Sequence, residues 1–299
     1  MMSLEHFTEE EFYDAHTVIL RRLLSGNRPL LDNSPQAFLL GGQSGAGKTT
    51  LHKVLREHFG GNVISIIGDD YRKDHPRFPE LHRRYGDEAV NYTAPWAGRM
   101  TEALIESLSA IGYNLIIEGT LRTAEVPLKT ADLLRERGYG VSLALMAVKP
   151  EISLISCQIR YEEMRILGTT PRATDPAHHS KIVDQIVSNL ATLEDSGAFE
   201  SIFLYNRAQE QLFPRENVES SASETIRDTL FGPWTPDEQR HYQQLKHKLT
   251  KLHEVAPRRH AIGEERALAP GTASTAPQRD GWQPQSPATP LNPTLADAR

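Results

Sequence analysis

Through most of the chain, short apolar runs alternate with longer stretches in which apolar residues return every three or four positions. The runs at 37–41, 63–67, 114–117, 141–148 and 201–204 are short and nearly free of charge, the pattern of strands buried on both faces. Between them, 48–59, 93–111, 126–137, 150–167 and 181–193 carry helical spacing. Met100, Leu104, Ile105 and Leu108 trace one face of the second, and Gly138 is a stop signal after the third. Strands separated by amphipathic helices predict an α/β domain, a mostly parallel sheet with helices on both faces. Ligands of such sheets sit beyond the carboxyl ends of the strands. The polar clusters of this chain fall at those ends.

The flanks read differently. Residues 4–24 form an amphipathic segment with Phe7, Phe12, Val18, Ile19 and Leu23 among its apolar members, expected to pack as an N-terminal helix. Near the other end, Thr235, Pro236 and Glu238 spell an N-cap, a first-turn proline and a capping box. They predict a helix over 236–255 with Tyr242, Leu245, Leu249 and Leu252 on one side, able to dock on the domain or on a partner. From Pro257 the chain is rich in Pro, Ala, Thr and Gln, and fixed torsions with missing amide donors predict disorder. The expected organisation is a domain over 1–232, an accessory helix over 233–256 and a tail over 257–299.

Charge and composition narrow the function. Of 299 residues, 33 are Lys or Arg and 39 Asp or Glu, a net charge of -6 that argues against a broadly basic nucleic-acid binder. Arg83-Arg84 and Arg258-Arg259-His260 do not extend into a basic stripe. The apolar run at 141–148 is far too short to cross a membrane, and the acidic residues at 1–11 do not resemble a secretory signal. A single cysteine, Cys157, excludes an intrachain disulfide and a multi-cysteine zinc site. His52, His58, His75, His82, His178 and His179 have no zinc-ligand spacing either. A reducing cytoplasm is the expected compartment.

The strongest chemical signal is Gly42-Gln43-Ser44-Gly45-Ala46-Gly47-Lys48-Thr49, a complete GxxxxGKT between a predicted strand and a predicted helix, followed by Thr50. Its glycines allow backbone amides to converge on phosphate oxygens, Lys48 brings a point charge, and the Thr49 hydroxyl can ligate Mg2+. The helix N-terminus adds partial positive charge. A chance glycine turn is the competing reading, and it does not account for every fixed position in this context. A nucleoside triphosphate is implied; kinase, switch and motor are not separated by the loop.

Two further clusters sit at strand ends. The run Val63-Ile64-Ser65-Ile66-Ile67 leads into Gly68-Asp69-Asp70-Tyr71-Arg72, where one carboxylate can meet an acceptor hydroxyl and the other can act through magnesium or its water. Asp70 is the favoured hydroxyl contact, with Asp69 in support; a magnesium-binding pair is the alternative. After 114–117, Glu118 stands where an acceptor can be hydrogen-bonded and Gly119 permits close approach, against the plainer reading of a polar strand exit. Arg160 on the helix 150–167 and Arg172 in the loop beyond it can clamp phosphates, although lone arginines are more often solvated.

Taken together, Gly-Gly-Gln-Ser-Gly-Ala-Gly-Lys-Thr-Thr at 41–50, Asp69-Asp70-Tyr71-Arg72 with His75-Pro76, the stretch 112–123 ending Glu118-Gly119-Thr120-Leu121-Arg122-Thr123, Arg160-Tyr161-Glu162, Arg172-Ala173-Thr174 and Leu204-Tyr205-Asn206-Arg207 resemble the zeta-toxin family, in consistent order over 7–213. The resemblance implies a P-loop NTPase fold of the kinase type and ATP-dependent phosphorylation of the amino-sugar 3'-hydroxyl of UDP-N-acetylglucosamine. It implies Asp70 as catalytic base, Lys48 and Thr49 on the nucleotide side, and Arg160 and Arg172 near the phosphates. Substrate contacts are implied from Glu102, Glu118, Thr120 and Thr130, and a small helical antitoxin as partner. Glu102 rests on the resemblance alone, since helix-surface glutamates are ordinarily solvated. The extension beyond 213 departs from the compact family pattern. Two other readings stay open: a related kinase for another hydroxylated acceptor, and a nucleotide-dependent interaction protein, which the pairing of Asp70 with a complete phosphate loop opposes.

Overall fold

The computed structural model describes residues 3–30, 34–216 and 219–268, with side chains to 255. The chain divides into two units, Met1–Arg259 and His260–Arg299, and the sheet lies in the first. In chain order the elements are α1 (Glu9–Leu24), β1 (Gln36–Gly41), α2 (Lys48–His58), β2 (Ile64–Ile67), a 3-10 segment (Gly68–Asp74), α3 (Phe78–Tyr85), α4 (Ala89–Tyr92) and α5 (Ala94–Ile111). They continue with β3 (Leu115–Glu118), α6 (Glu125–Glu136), β4 (Gly140–Met146), α7 (Pro150–Ile166), α8 (Pro176–Asp195), β5 (Ser201–Tyr205), β6 (Gln211–Phe213), α9 (Ala222–Phe231) and α10 (Pro236–Leu268).

The sheet runs β2-β3-β1-β4-β5-β6, with β1 to β5 parallel and β6 antiparallel at the edge. The period-two alternation of strand side chains separates two cores. Leu39, Leu115, Ile117, Leu143 and Leu145 face Phe12 and Ile19 of α1, Met100 and Leu104 of α5, Leu134 of α6, Ile186 of α8 and Ile226 of α9. Phe38, Leu40, Ile116, Ala144 and Met146 face Leu51 and Leu55 of α2, Ile152 of α7, and Trp234, Tyr242 and Leu245. Both faces are covered, which is why these strands carry almost no polar residue.

Register positions the chemistry. Leu40 of β1 pairs with Glu118 of β3, and Ile67 of β2 pairs with the same Glu118. The Gly119 amide donates to the Leu40 carbonyl at 2.8 Å, so the exits of β1, β2 and β3 lie level at one sheet edge. The chain leaves β1 toward one side and later returns through β4 on the other, and the crevice opens at that reversal.

The N-terminal helix packs as expected through Phe12 and Ile19, with Phe7 and Leu23 partly buried, but Val18 points out, 63% exposed. The predicted capping box forms: Thr235 and Glu238 exchange amide-to-side-chain bonds of 2.8 and 3.2 Å. Helix α10 runs on to Leu268, through the position where Pro257 was expected to end it. One proline removes a single amide bond, and the Arg, Ala, Glu and Leu residues that follow favour helix enough to resume it. The rest of the expected tail, 269–299, lies outside the described residues. Four elements escaped the sequence pattern: α3, α4, α9 and β6, all short and outside the alternation of long apolar runs.

Candidate active site

The phosphate loop is held from below before any ligand arrives. Gly42, Gly45 and Gly47 have φ of 127°, 77° and 100°, a region that side chains oppose. A Cβ on Gly45 would stand 2.0 Å from the Ser153 carbonyl oxygen of α7, so only glycine lets the loop lie on that helix. Gln43, fully buried, donates through Nε2 to the Val148 carbonyl at 2.7 Å and to Ser153 Oγ at 3.3 Å. Ser153 Oγ gives its one proton to the Pro150 carbonyl at 2.8 Å. Ser153 Oγ also lies 2.8 Å from His179 Nε2, a contact that ties α8 to the same serine. Burial holds His179 below its ordinary range and so neutral.

Lys48 begins α2 and is nearly buried. Its Nζ donates to the carbonyls of Gly42 at 2.8 Å and Gln43 at 3.3 Å and lies 3.7 Å from Glu118 Oε1. The other Glu118 oxygen is bonded to His52 Nε2 at 2.7 Å. Desolvation pushes the Glu118 carboxyl up, but the His52 bond and the Lys48 charge outweigh it and hold the group below the usual range. Glu118 is thus an ionised bridge between strand β3 and the phosphate-loop helix. Thr49, next along, is exposed and its hydroxyl makes no hydrogen bond to the described residues, which leaves it available to a cation. No group of three or more His, Cys, Asp or Glu side chains clusters as a metal site among the described residues. Such a sparse set suits magnesium, which keeps waters and binds phosphate oxygens alongside one or two protein ligands.

Beyond β2 the 3-10 segment turns both aspartates out of the sheet edge. Asp69 Oδ1 pairs with Arg72 Nε at 2.8 Å, and Arg72 also donates to the Val90 carbonyl at 2.6 Å and to Thr93 Oγ1 at 3.2 Å. That makes Asp69 an anchor of the segment rather than a free group. Desolvation raises the Asp69 carboxyl, and the charges of Arg72, then Arg172 and Arg160, more than offset it and lower it. Asp70 Oδ1 accepts from Arg172 Nη2 at 2.9 Å, across 102 residues of chain. A second bond spans the same gap, from Tyr161 OH to Asp87 Oδ2 at 2.8 Å. Arg160 Nε is buried and has no hydrogen-bond partner among the described residues.

Lys48, Glu118, Asp69, Asp70, Arg160 and Arg172 are therefore joined by direct contact or through shared electrostatics. Thr120 is half-buried in the turn after β3, where Leu121 adopts φ 58° and its carbonyl accepts from Asn189 of α8 at 2.9 Å. A leucine in the left-handed region is unusual and marks a turn fixed by its surroundings. Thr130 donates its hydroxyl to the Val126 carbonyl one turn back in α6, and Glu102 is exposed on α5 with no ion pair among the described residues. The structure brings neither into contact with the cluster. Its neighbour Thr101 does reach the edge, its Oγ1 standing 3.0 Å from where a Gly68 Cβ would be.

A family model described as Zeta toxin matches residues 22–219. The chain belongs to the zeta toxin family. Toxin PezT of Streptococcus pneumoniae serotype 4 (strain ATCC BAA-334 / TIGR4) is 43% identical over 252 residues, 84% of this chain and 99% of that one. Toxin zeta of Streptococcus pyogenes is 40% identical over 77% of this chain and 80% of its own. A solved structure from the PezAT chromosomal toxin-antitoxin system of Streptococcus pneumoniae superposes with a TM-score of 0.76 at 42% identity, covering 85% of this chain and 100% of that chain. This zeta-toxin chain carries two site features that its sequence had not singled out. His52 follows Lys48 by four positions, one helical turn, and that spacing puts both on one face of α2, the face that meets Glu118. Arg207, just past β5, donates from Nη1 to the Gly45 carbonyl at 2.9 Å, a contact over 162 residues that no local pattern announces.

Proposed function

We propose that the protein is an ATP-dependent kinase that phosphorylates the 3'-hydroxyl of the N-acetylglucosamine of UDP-N-acetylglucosamine, and that it acts as the toxin of a toxin–antitoxin pair. The observation that carries the phosphotransfer reading is the level exit of β1, β2 and β3, which sets the Lys48 loop beside the Asp69-Asp70 segment and Glu118. The acceptor identity follows the family resemblance, and the toxin role follows relatives named as toxins, one from a system that includes an antitoxin.

The loop amides and Lys48 hold the donor phosphates, and Thr49 with phosphate oxygens and water would hold magnesium. When bound, the ion would neutralise negative charge on the donor phosphates. Asp70 hydrogen-bonds the acceptor hydroxyl, orients it in line with the γ-phosphorus and takes its proton. As the new O–P bond forms, the bond from γ-phosphorus to the β-phosphate oxygen breaks and ADP departs. Arg172 exchanges its bond to Asp70 for the transferring phosphoryl group, and the unpartnered Nε of Arg160 fits the same role. Glu118, kept ionised and braced by His52, contacts the sugar nucleotide while its other oxygen pairs with Lys48. Thr120, Thr130 and Glu102 complete the acceptor pocket on the family pattern.

Incubation with ATP, magnesium and UDP-N-acetylglucosamine, followed by mass spectrometry, tests the proposal. A gain of one phosphate on the sugar nucleotide supports it. Phosphate on a different added alcohol would move the reading to another acceptor, and nucleotide binding without transfer to any acceptor would overturn it.

A further inference from the structure

Arg207 bonds the phosphate loop, and the C-terminal helix brings His241 close enough to feel its charge. Arg207 donates to the Gly45 carbonyl at 2.9 Å, and its Cγ lies 3.9 Å from where a Gly47 Cβ would stand. The side chain therefore crosses the part of the loop whose amides face the phosphates. Among the described residues no carboxylate pairs with it, although the surrounding protein desolvates its guanidinium. An unpaired, desolvated cation is costly unless an anion is to arrive. On the Arg207 side, α10 presents His241, whose Nε2 is buried with no hydrogen-bond partner, and burial with the Arg207 charge disfavours its protonation.

Among the described residues, the helix that brings His241 is fastened to the α2–α7 face of the sheet. Trp234, Tyr242 and Leu245 pack on the core cluster that includes Ala46 of the loop and Val148. Lys149, buried at the start of α7, donates to the Gly232 carbonyl at 2.7 Å, and Lys248 pairs with Glu163 of α7 at 2.6 Å. The apolar fastening is to the face of the sheet that carries α2 and α7, and the Lys248 pair is to α7, the helix on which Gly45 rests.

We propose that Arg207 is a positioning residue of the nucleotide site, held across the phosphate loop by the docked helix α10, so that the C-terminal helix sets nucleotide affinity. It acts through the Gly45 carbonyl, turning the Gly45–Gly47 amides toward the phosphates. This rests on the kinase reading above, and the test separates the two. Calorimetric titration of the full chain with magnesium and a non-hydrolysable ATP analogue needs no acceptor. Arg207→Ala is expected to weaken the analogue roughly tenfold, the size of a lost hydrogen bond from a charged donor. Arg207→Lys is expected to recover part of the loss, and Trp234→Ala, which touches no phosphate, to weaken binding several-fold by loosening the helix. In the sugar-nucleotide assay KM for ATP rises in the Ala variant while kcat at saturating ATP is largely kept. Wild-type affinity in Arg207→Ala, or a loss no greater than its fall in thermal stability explains and not eased by Lys, overturns the proposal. No analogue binding by the wild-type chain would instead overturn the kinase reading, and this inference with it.

Discussion

The two sides of the crevice are built in opposite ways. The donor side is a local motif pressed onto a finished scaffold: three glycines in left-handed backbone, a fully buried Gln43, and a Lys48 side chain 10% exposed. The acceptor side is assembled by bonds between distant segments, Arg72 to Val90, Arg172 to Asp70 and Tyr161 to Asp87, and its central pair stays 45% and 44% exposed. A buried hydrogen-bonded loop changes shape only at high cost, whereas an exposed ion pair contributes about 0–1 kcal/mol and opens readily. On the proposed kinase reading the donor cradle is rigid, and the acceptor side is the one with freedom to adjust.

The comparison is easiest to break at Lys48. Lys48→Ala removes the only side-chain cation the loop itself contributes, and phosphoryl transfer should fall about 10³-fold in a coupled ADP-release assay. Turnover within tenfold of wild type would remove Lys48 from the donor site. Asp70→Asn should lower transfer about 10²-fold or more while nucleotide affinity, read by calorimetry, stays near wild type. Equal loss of both would mean that the acceptor side is not separable from the donor side. Tyr161→Phe deletes the outer bond across the crevice. A few-fold rise in acceptor KM is expected, with less than ~1 kcal/mol lost in urea unfolding; an unchanged KM would show that this bond does not shape acceptor entry.

The smallest effect concerns the tether of α1 to the acceptor side. Glu11 accepts from both Arg77 terminal nitrogens, at 2.9 and 3.0 Å. Those bonds first, then the Thr8 amide, lower its pKa from 4.5 to about 2. In the unfolded chain Glu11 takes up its proton at higher pH than in the folded one, so its contribution is present above pH 4.5 and lost as pH falls through about 2. Glu11→Gln should flatten that part of the acid-unfolding curve and leave the curve above pH 5 nearly parallel to wild type. An unaltered acid limb would sever the tether from stability.

What the amino-acid pattern disclosed follows the same division. Strands β1 to β5 and their long helices were visible because burial on both faces demands apolar runs, and the phosphate loop because its glycines, lysine and threonine are contiguous. Asp70 was visible as a carboxylate at a strand end, but its bond to Arg172 was not, since 102 residues separate them. His52 had a readable signal in its distance of four from Lys48, yet nothing before β3 is placed says that Glu118 waits opposite. Arg207 stood in the Leu204–Arg207 stretch that matches the family, but its contact with Gly45 depends on β5 ending beside β4, a matter of strand order. Helices α3 and α4 went unseen because they are short and their ends are satisfied by tertiary bonds such as Arg72 to Val90.

The ligand-free lysine is already engaged. Lys48 gives its protons to two loop carbonyls and rests against the Glu118 carboxylate, so its charge is muted from within. A small anion such as free phosphate meets a cradle whose cation must first let go of three oxygens. A polyanion that touches several amides at once can replace those contacts and draw the ammonium outward. Phosphate binding at this loop is thus an exchange of oxygens around one ammonium, with the protein's own carbonyls as the competing partners.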